Sequence, residues 1–343
     1  MKIINDTQFE VQALPIQKPD GKSIMSIIVK GTFCFSSNHS SISDKQLPIL
    51  FGDEYYNEHD GGSVKFESDL AFYKPKTDIV LVGSAYSPHT KPVEYIDVLL
   101  SVGDTQKKLR VFGNRVWESS SNVFSKFHPS KPKPFSIMEI IYERAFGGLD
   151  KNSGEFCKEN IVGKGFISKN SKNYIHGTPL PNIENPNNLI ETWKDQPTPE
   201  GFGFYSKFCE PRSLYIGTYD EKWRKKRSPN LPDDFSVNYY NAAHPDLQVK
   251  GYLKGNEKVK LKNLVPVPEG NVTFNLCGKI TKCDIIKTFR NNITKKNIPI
   301  NLDTICFIPD QLLYYLVWRG NLQVLPQSTL EKTSLRIYYE NII

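Results

Sequence analysis

The stretch EYIDVLLSVGDTQKKLRVFGNRVW, residues 94–117, decides the fold class of this chain. Two runs rich in β-branched and apolar residues flank Gly103-Asp104, a pair that tolerates the positive φ of a tight turn. The stretch therefore predicts a β-hairpin. Ser23–Phe35 (SIMSIIVKGTFCF) and Asp78–Tyr86 (DIVLVGSAY) have a similar composition and predict further strands.

The last part of the chain carries five more strand patterns separated by short gaps. They are VTFNL (272–276), CDIIKTF (283–289), LDTICFI (302–308), LLYYLVW (312–318) and SLRIYYE (334–340). Their spacing predicts an antiparallel meander. We therefore expect a mainly β fold: an antiparallel β-sandwich or barrel-like sheets with long ordered loops and few short helices.

Helical signals are few. The best helix candidate is FSIMEIIYERAF (135–146), which ends before Gly147-Gly148, although its β-branched residues also permit a strand. Residues 147–250 are rich in Gly, Pro and Asn but keep enough aromatic residues to pack. This composition predicts ordered loops with short elements.

The charge of this 343-residue chain is unevenly distributed. The net charge is +7, and residues 250–343 hold 14 Lys or Arg against 7 Asp or Glu, whereas residues 1–249 hold 30 of each. We expect a single domain over 1–343, open to a division into a motif-bearing lobe (1–249) and a basic C-terminal β-meander (250–343).

The basic excess of residues 250–343 fits a solvated surface or a face for an acidic partner. No nucleic-acid-reading motif accompanies it, so we expect no nucleic acid.

Several classes of protein are excluded or disfavoured by what the sequence lacks. No run approaches ~18 apolar residues, and the start MKIINDTQFEVQALP lacks the order of a signal peptide, so we expect a cytoplasmic protein without membrane insertion. The cysteines show no C-x-x-C spacing, which favours reduced, packed thiols over zinc ligands. They are Cys34, Cys157, Cys209, Cys277, Cys283 and Cys306. No cofactor or metal is expected.

The search for catalytic motifs gives only weak candidates. GKGFIS (163–168) and GFGFYS (201–206) lack the third glycine of a dinucleotide loop, and there is no G-x-S-x-G or H-E-x-x-H. The acidic loop GDEYYNEHDGG (52–62) lacks calcium-loop spacing and is interpreted as solvated. Glu143 and Asp220 form a hypothetical carboxylate pair for glycoside hydrolysis.

Long motifs, taken in order, resemble one bacterial family. The chief ones are SDLAFYKPKTDIVLVGSAYSP (68–88), FSIMEIIYERAFGG (135–148), NIVGKGF (160–166), PRSLYIGTYDEKWRKKRSPNLPDDF (211–235), NAAHPDLQ (241–248) and the late LDTICF and LVWRG. They resemble the effector adaptor, or chaperone, family of type VI secretion. That family was first named only as a domain of unknown function, and its genes lie beside type VI secretion genes. The resemblance runs from about residue 10 to the C-terminus.

The resemblance implies an adaptor that holds a toxic effector in the cytoplasm and loads it onto the spike protein, without catalysis. It carries over no catalytic residues. The motif residues to which we assign a structural or partner-binding role are Tyr142, Glu143, Arg144, Phe146, Gly147, Gly148, Arg212, Tyr219, Asp220 and Trp223. We favour a structural role, in which the last four supply partners for Glu143 and Arg144. The rival interpretation is an exposed pocket that grips an effector segment.

Two further hypotheses remain open at this point. The first is an enzyme or module for carbohydrates: a hydrolase using Glu143 and Asp220, or a glycan-binding β-sandwich. The second concerns the adaptor's contact surface. An exposed edge strand of the basic C-terminal part, near Lys279, Lys282 and Lys287, could pair with an extended effector segment.

Overall fold

The computed structural model describes residues 1–18, 20–57, 61–119, 127–171, 174–289, 292–323 and 333–341. Most of its regular structure is strand. In chain order the strands are β1 (Lys2–Asn5), β2 (Glu10–Gln17), β3 (Ser23–Ser36), β4 (His39–Ile42), β5 (Glu54–Tyr55), β6 (Val64–Phe66), β7 (Lys76–Leu81), β8 (Ser84–Tyr86), β9 (Tyr95–Val102), β10 (Thr105–Phe112), β11 (Trp117–Ser119), β12 (Phe127–Pro129), β13 (Ile137–Glu139), β14 (Phe146–Gly147), β15 (Lys164–Gly165), β16 (Ile183–Glu184), β17 (Gln248–Lys250), β18 (Lys258–Lys262), β19 (Asn271–Asn275), β20 (Lys279–Phe289), β21 (Asn292–Ile298), β22 (Ile300–Ile308), β23 (Leu313–Gln323) and β24 (Thr333–Asn341).

Helical structure is confined to short pieces. Within the described ranges there is one α-helix, α1 (Glu221–Lys226). The 3-10 helices are Pro88–Thr90, Tyr142–Arg144, Lys169–Ser171, Arg212–Tyr215, Val237–Tyr240, Pro245–Leu247 and Pro309–Gln311. The prediction of a mainly β fold with few short helices is confirmed.

The main sheet has the strand order β17-β7-β22-β23-β3-β2, with β4 beside the end of β3. Its centre is the long antiparallel pair β3 and β23, in register from Leu313 opposite Cys34 to Gln323 opposite Ile24. β7 and β22 pair in parallel. These strands are the β-branched runs of the sequence, and they are buried along most of their length, as expected for the middle of a sheet.

A second, five-stranded sheet has the order β16-β10-β9-β18-β19. The predicted hairpin lies at its centre, with Val102 opposite Thr105 and Gly103 at a φ of 57° in the turn. β18 shows a strict alternation, in which Val259 and Leu261 are buried and the lysines between and beside them are exposed. One face of this sheet therefore packs on the core and the other faces water.

The third, four-stranded sheet has the order β1-β24-β20-β21. The predicted C-terminal strands exist, but the predicted single meander is wrong, because the chain distributes them among three sheets. β19 joins the five-stranded sheet, β22 and β23 join the main sheet, and β20 pairs with β24 across them. None of the sheets of the described residues closes into a barrel.

One large core connects the three sheets. Phe35 of the main sheet stacks on Phe274 of the five-stranded sheet with ring centroids 4.6 Å apart, and Ile285 and Leu335 of the four-stranded sheet belong to the same cluster. Strands from both sides of position 249 are neighbours in the main sheet and in the five-stranded sheet. Position 249/250 therefore does not separate the sheets.

The described residues of the region 147–250, which are 147–171 and 174–250, form ordered loops with short elements, as predicted. The predicted helix at 135–146 is wrong. Its first part is the strand β13, which pairs with β8, and its second part is the single 3-10 turn Tyr142–Arg144. The β-branched residues that left a strand open in the sequence account for this outcome. The helix α1 was not predicted; Asp220 caps it by accepting a hydrogen bond from the Trp223 amide.

Candidate functional site: where the motifs meet

The motifs converge first on a set of buried charges packed on the main sheet, which we call the motif layer. Its members are Lys30, Asp69, Lys74, Asp78, Asp303 and Arg319, none of them more than 7% exposed. Because a buried charge without a partner is very costly, such a layer requires a fixed set of ion pairs.

The motif SDLAFYKPKTD meets LVWRG in the first half of the motif layer. Lys30 Nζ lies 2.9 Å from Asp69 Oδ2, and Arg319 Nε lies 2.6 Å from Asp303 Oδ2. Arg319 Nη1 also donates to the carbonyl oxygens of Asp69 and Ala71. The late arginine therefore fixes the loop that precedes β7.

Asp78 organises the second half of the motif layer and is completely buried. Its carboxylate lies 3.0 Å from Lys74 Nζ and accepts from Asn241 Nδ2 and from the amides of Ala242 and Ala243. Although burial acts to lower the pKa of Lys74, Asp78 and then Asp303 outweigh it and raise that pKa. The motif NAAHPDLQ is thus tied to KPKTD through one carboxylate.

Arg212, one of the predicted site residues, has a similar structural role. It is buried; its Nη2 lies 2.6 Å from Glu67 Oε1, and its other nitrogens donate to the carbonyl oxygens of Tyr205 and Tyr239. The guanidinium also lies over the Tyr239 ring. Arg212 therefore connects the loops that contain Tyr205 and Tyr239 to Glu67, the residue that directly follows β6.

The motif YERAFGG is held by a neighbouring loop. Tyr142 is buried and packs edge-on against Tyr205, with ring centroids 5.1 Å apart, and Asn160 Nδ2 donates to the carbonyl oxygens of Tyr142 and Phe146. Gly147 has a φ of 145°, and a Cβ there would collide with the Asn160 carbonyl oxygen. Glycine at this position lets two chain segments approach closely.

The predicted partners of Glu143 and Arg144 are wrong. Glu143 accepts from the amide and the hydroxyl of Ser63, at 2.6 and 2.7 Å, and Arg144 Nη2 lies 3.7 Å from Glu139. Sequence reasoning missed Ser63 because no local spacing connects its segment to the motif, whereas Glu139 lies within the stretch 135–148, five residues before Arg144. Neither Arg212 nor the three residues around α1 supply these contacts in the described part of the chain.

Tyr219, Asp220 and Trp223 lie together at the surface around α1. Tyr219 is half exposed and packs on Trp223 with centroids 4.6 Å apart, while Trp223 Nε1 donates to the Asn230 carbonyl. A shallow cavity of about 340 Å³ lies beside them. Asp220 is thus a helix cap, and Glu143 accepts two hydrogen bonds from Ser63, so both carboxylates of the hypothetical pair have structural contacts.

A groove of about 430 Å³ lies beside YERAFGG, and we call it the glycine groove. Gly147, Gly148, Gly163 and Gly165 line its base, together with Lys164. Burial, followed by the charges of Arg144 and Arg115, lowers the pKa of Lys164 to about 8, and its ammonium donates to Asn182 Oδ1. Leu149 and Tyr174, which also line the groove, are more than half exposed, so this motif borders a partly apolar surface.

A cluster of Glu200, His244 and Asp246 brings three metal-ligand atoms within 4.8 Å of one another. However, Lys107 Nζ already lies 2.5 Å from Glu200 Oε2 and 2.8 Å from Asp246 Oδ2. Burial, followed by the Lys107 charge, lowers the pKa of His244 to about 4, so the ring is neutral at pH 7. The arrangement fits an ion-pair network rather than a metal centre.

The remaining sequence-predicted features divide as follows. Cys157, Cys209, Cys283 and Cys306 are buried as apolar groups. In the acidic loop, Asp53 lies 2.7 Å from Lys207, whereas Glu58, His59 and Asp60 lie outside the described residues.

The basic excess of residues 250–343 is divided between two surfaces. The lysine row, defined as Lys258, Lys260 and Lys262 of β18, is exposed on the outer face of the five-stranded sheet. On the four-stranded sheet, Lys279 donates to Asn341 and Lys282 lies 3.7 Å from Glu340. Two of the three lysines that the sequence suggested for partner contact are therefore engaged within the chain.

A family model matches most of the chain, as the ordered motifs do. The model described as "Uncharacterized protein conserved in bacteria (DUF2169)" matches residues 20–319. The chain belongs to this bacterial family. The DUF2169 match includes every member of the motif layer and the whole glycine groove, but β1, β2 and β24 lie outside it. No curated protein and no solved structure matches the chain, and none of the helices in the described ranges has the length and apolar character to cross a membrane.

Proposed function

We propose that this DUF2169 protein is a cytoplasmic type VI secretion adaptor that binds a toxic effector and helps to load it onto the spike protein, without catalysis. The observation that carries the proposal is the ordered set of long motifs from SDLAFYKPKTD to LVWRG, which resembles that adaptor family along the chain.

The use of the motif residues supports a binding protein better than an enzyme. The polar groups of the motif layer, together with Arg212 and Glu143, are engaged with one another or with backbone groups. A general acid or nucleophile must instead be able to reach its substrate. The exposed side chains beside the motifs, Leu149 and Tyr174, are the kind that protein partners cover.

A pull-down tests the proposal directly. The full chain, tagged and expressed in its native bacterium, should recover the toxin and spike proteins encoded beside its own gene, as identified by mass spectrometry. A strain that expresses the tag alone is the control. Deleting the gene should lower the amount of that toxin in the culture medium at least tenfold.

The carbohydrate hypothesis predicts a different result. If the purified chain hydrolysed a glycan, and Glu143→Gln or Asp220→Asn abolished the activity, the adaptor proposal would be overturned. The same holds if neither neighbouring protein is recovered at low salt.

A further inference from the structure

The edge strands of the three large sheets differ in how well they can accept another strand. An unpaired edge offers a row of backbone donors and acceptors to any extended chain. The main sheet ends in the three-residue β17 and in β2, which contains Pro15. The five-stranded sheet ends in the two-residue β16 and in β19, whose Thr273 carbonyl accepts from Asn38 of the β3–β4 turn.

The four-stranded sheet ends in β1, with four residues, and in β21, with seven. β21 contains no proline, and in the described part of the chain it pairs with β20 alone. It is the longest proline-free edge of these sheets. Residues 293–297 are exposed, and Ile293 is 72% exposed.

A groove of about 550 Å³ runs along this edge, within the size range of ligand-binding clefts. Thr294 to Ile298 line it together with Ile285 and Lys287 of β20, so it lies over one face of the β20–β21 pair and reaches the open edge of β21. Across the groove lies the end of β23, and Ile285, Ile298 and Leu322 supply apolar contacts. The groove thus offers an extended chain both backbone groups and apolar pockets.

The charges along the groove select the kind of chain that fits. Lys287 and Lys296 are exposed on the same face, and no carboxylate contacts either of them among the described residues. Lys295 differs, because it lies 2.9 Å from the buried Asp284. Lysines on an edge disfavour pairing with a second copy of the same edge, but they favour a strand that brings acidic side chains.

We propose that β21 accepts an extended acidic segment of the effector as a fifth strand of the four-stranded sheet. This inference rests on the proposed function, since it assigns the surface by which the adaptor holds its effector. Main-chain hydrogen bonds would supply affinity, and alternate side chains would enter the groove beside Lys287 and Lys296.

The test uses the full chain and the purified toxin encoded beside its gene as the probe. On adding the toxin, those amides of residues 292–298 that face the open side of β21 should slow at least tenfold in hydrogen–deuterium exchange. Lys287→Glu/Lys296→Glu should weaken toxin binding at least tenfold. The matched control, Lys258→Glu/Lys262→Glu, makes the same charge change on the outer face of the five-stranded sheet and should change binding less than threefold.

Proline substitutions probe the backbone itself. In an antiparallel edge strand, neighbouring amides alternate between the partner strand and the open side. Of Lys295→Pro and Lys296→Pro, one removes an amide that bonds to β20 and should lower the melting temperature. The other removes an amide on the open side, so it should keep the wild-type melting temperature and abolish toxin binding. If both variants unfold, the exchange measurement decides.

The outcomes separate the two proposals. Toxin binding that persists in the groove and proline variants, without protection of 292–298, overturns the assignment of β21 but leaves the adaptor function standing. Absence of any binding to the neighbouring toxin or spike counts against the adaptor function itself. A concentration-dependent dimer that protects 292–298 without toxin would show that the edge serves self-association, and it would overturn the proposal.

Discussion

The lysines of the motif layer and those of the lysine row carry the same charge, but the former are buried in ion pairs and the latter are exposed to water. In the motif layer, Lys30 and Lys74 are less than a tenth exposed and each faces a carboxylate at about 3 Å. In the lysine row, the three lysine side chains of β18 are exposed, and among the described residues no carboxylate lies within ion-pair distance of them. A buried charge commits the fold to one partner, whereas an exposed charge leaves stability nearly unchanged and stays available to act on other molecules.

The largest effect expected from this contrast is that of Asp78→Ala. The variant removes the only carboxylate paired with the buried Lys74 ammonium among the described residues, and it leaves the buried amides of Ala242 and Ala243 without this acceptor. We expect the free energy of unfolding in urea to fall by about 3–5 kcal/mol. Asp78→Asn keeps an acceptor but not the charge and should lose less. A loss near zero for Asp78→Asn would contradict an ionic role, because that variant removes the charge and little else.

A pH titration tests the neighbouring Lys107 cluster. The pKa of His244 is about 4 in the folded chain and lies near its ordinary value of 6.5 when unfolded. Between these values the unfolded state binds more protons, so stability is complete above pH 6.5 and decreases as the pH falls towards 4. The loss at pH 4 should be about 3 kcal/mol from this group.

The measurement is urea unfolding at pH 7, 5.5 and 4.5, compared with His244→Gln. The variant should show a flatter stability profile between pH 6.5 and 4.5 because it has no imidazole to protonate. A profile as steep as that of the wild type would show that other groups cause the loss.

Gly147→Ala tests whether close approach matters as much as charge. Its backbone conformation and the nearby Asn160 carbonyl both oppose a Cβ, so we expect a loss of about 2–4 kcal/mol. The matched control is Gly177→Ala, where φ is also positive, at 80°, but nothing lies within 4 Å of the new atom. It should lose only about 1 kcal/mol. Similar losses for the two would remove steric contact as the reason for the motif glycine.

Sequence reasoning identified strands wherever apolar, β-branched residues run together, because burial and backbone preference agree there. Sequence reasoning did not predict which sheet each strand joins. β19, β20 and β22 look alike in sequence but belong to three different sheets, because local spacing does not encode long-range pairing. It also named Arg212 and Glu143 without their partners, Glu67 and Ser63. Those contacts join segments far apart in the chain, and only the packed structure brings them together.

The smallest effect is expected from Lys258→Glu/Lys262→Glu in the lysine row. Both side chains point to water, and Lys260 between them repels its like-charged neighbours, so reversing two charges should change the free energy of unfolding by less than about 0.5 kcal/mol. Lys30→Glu makes the same change in the motif layer, where it would face Asp69, and should destabilise the chain severely. Urea unfolding of both variants measures the difference. A large loss from the lysine-row variant would mean that this outer face is stabilised by its charges, and the contrast between the two regions would fail.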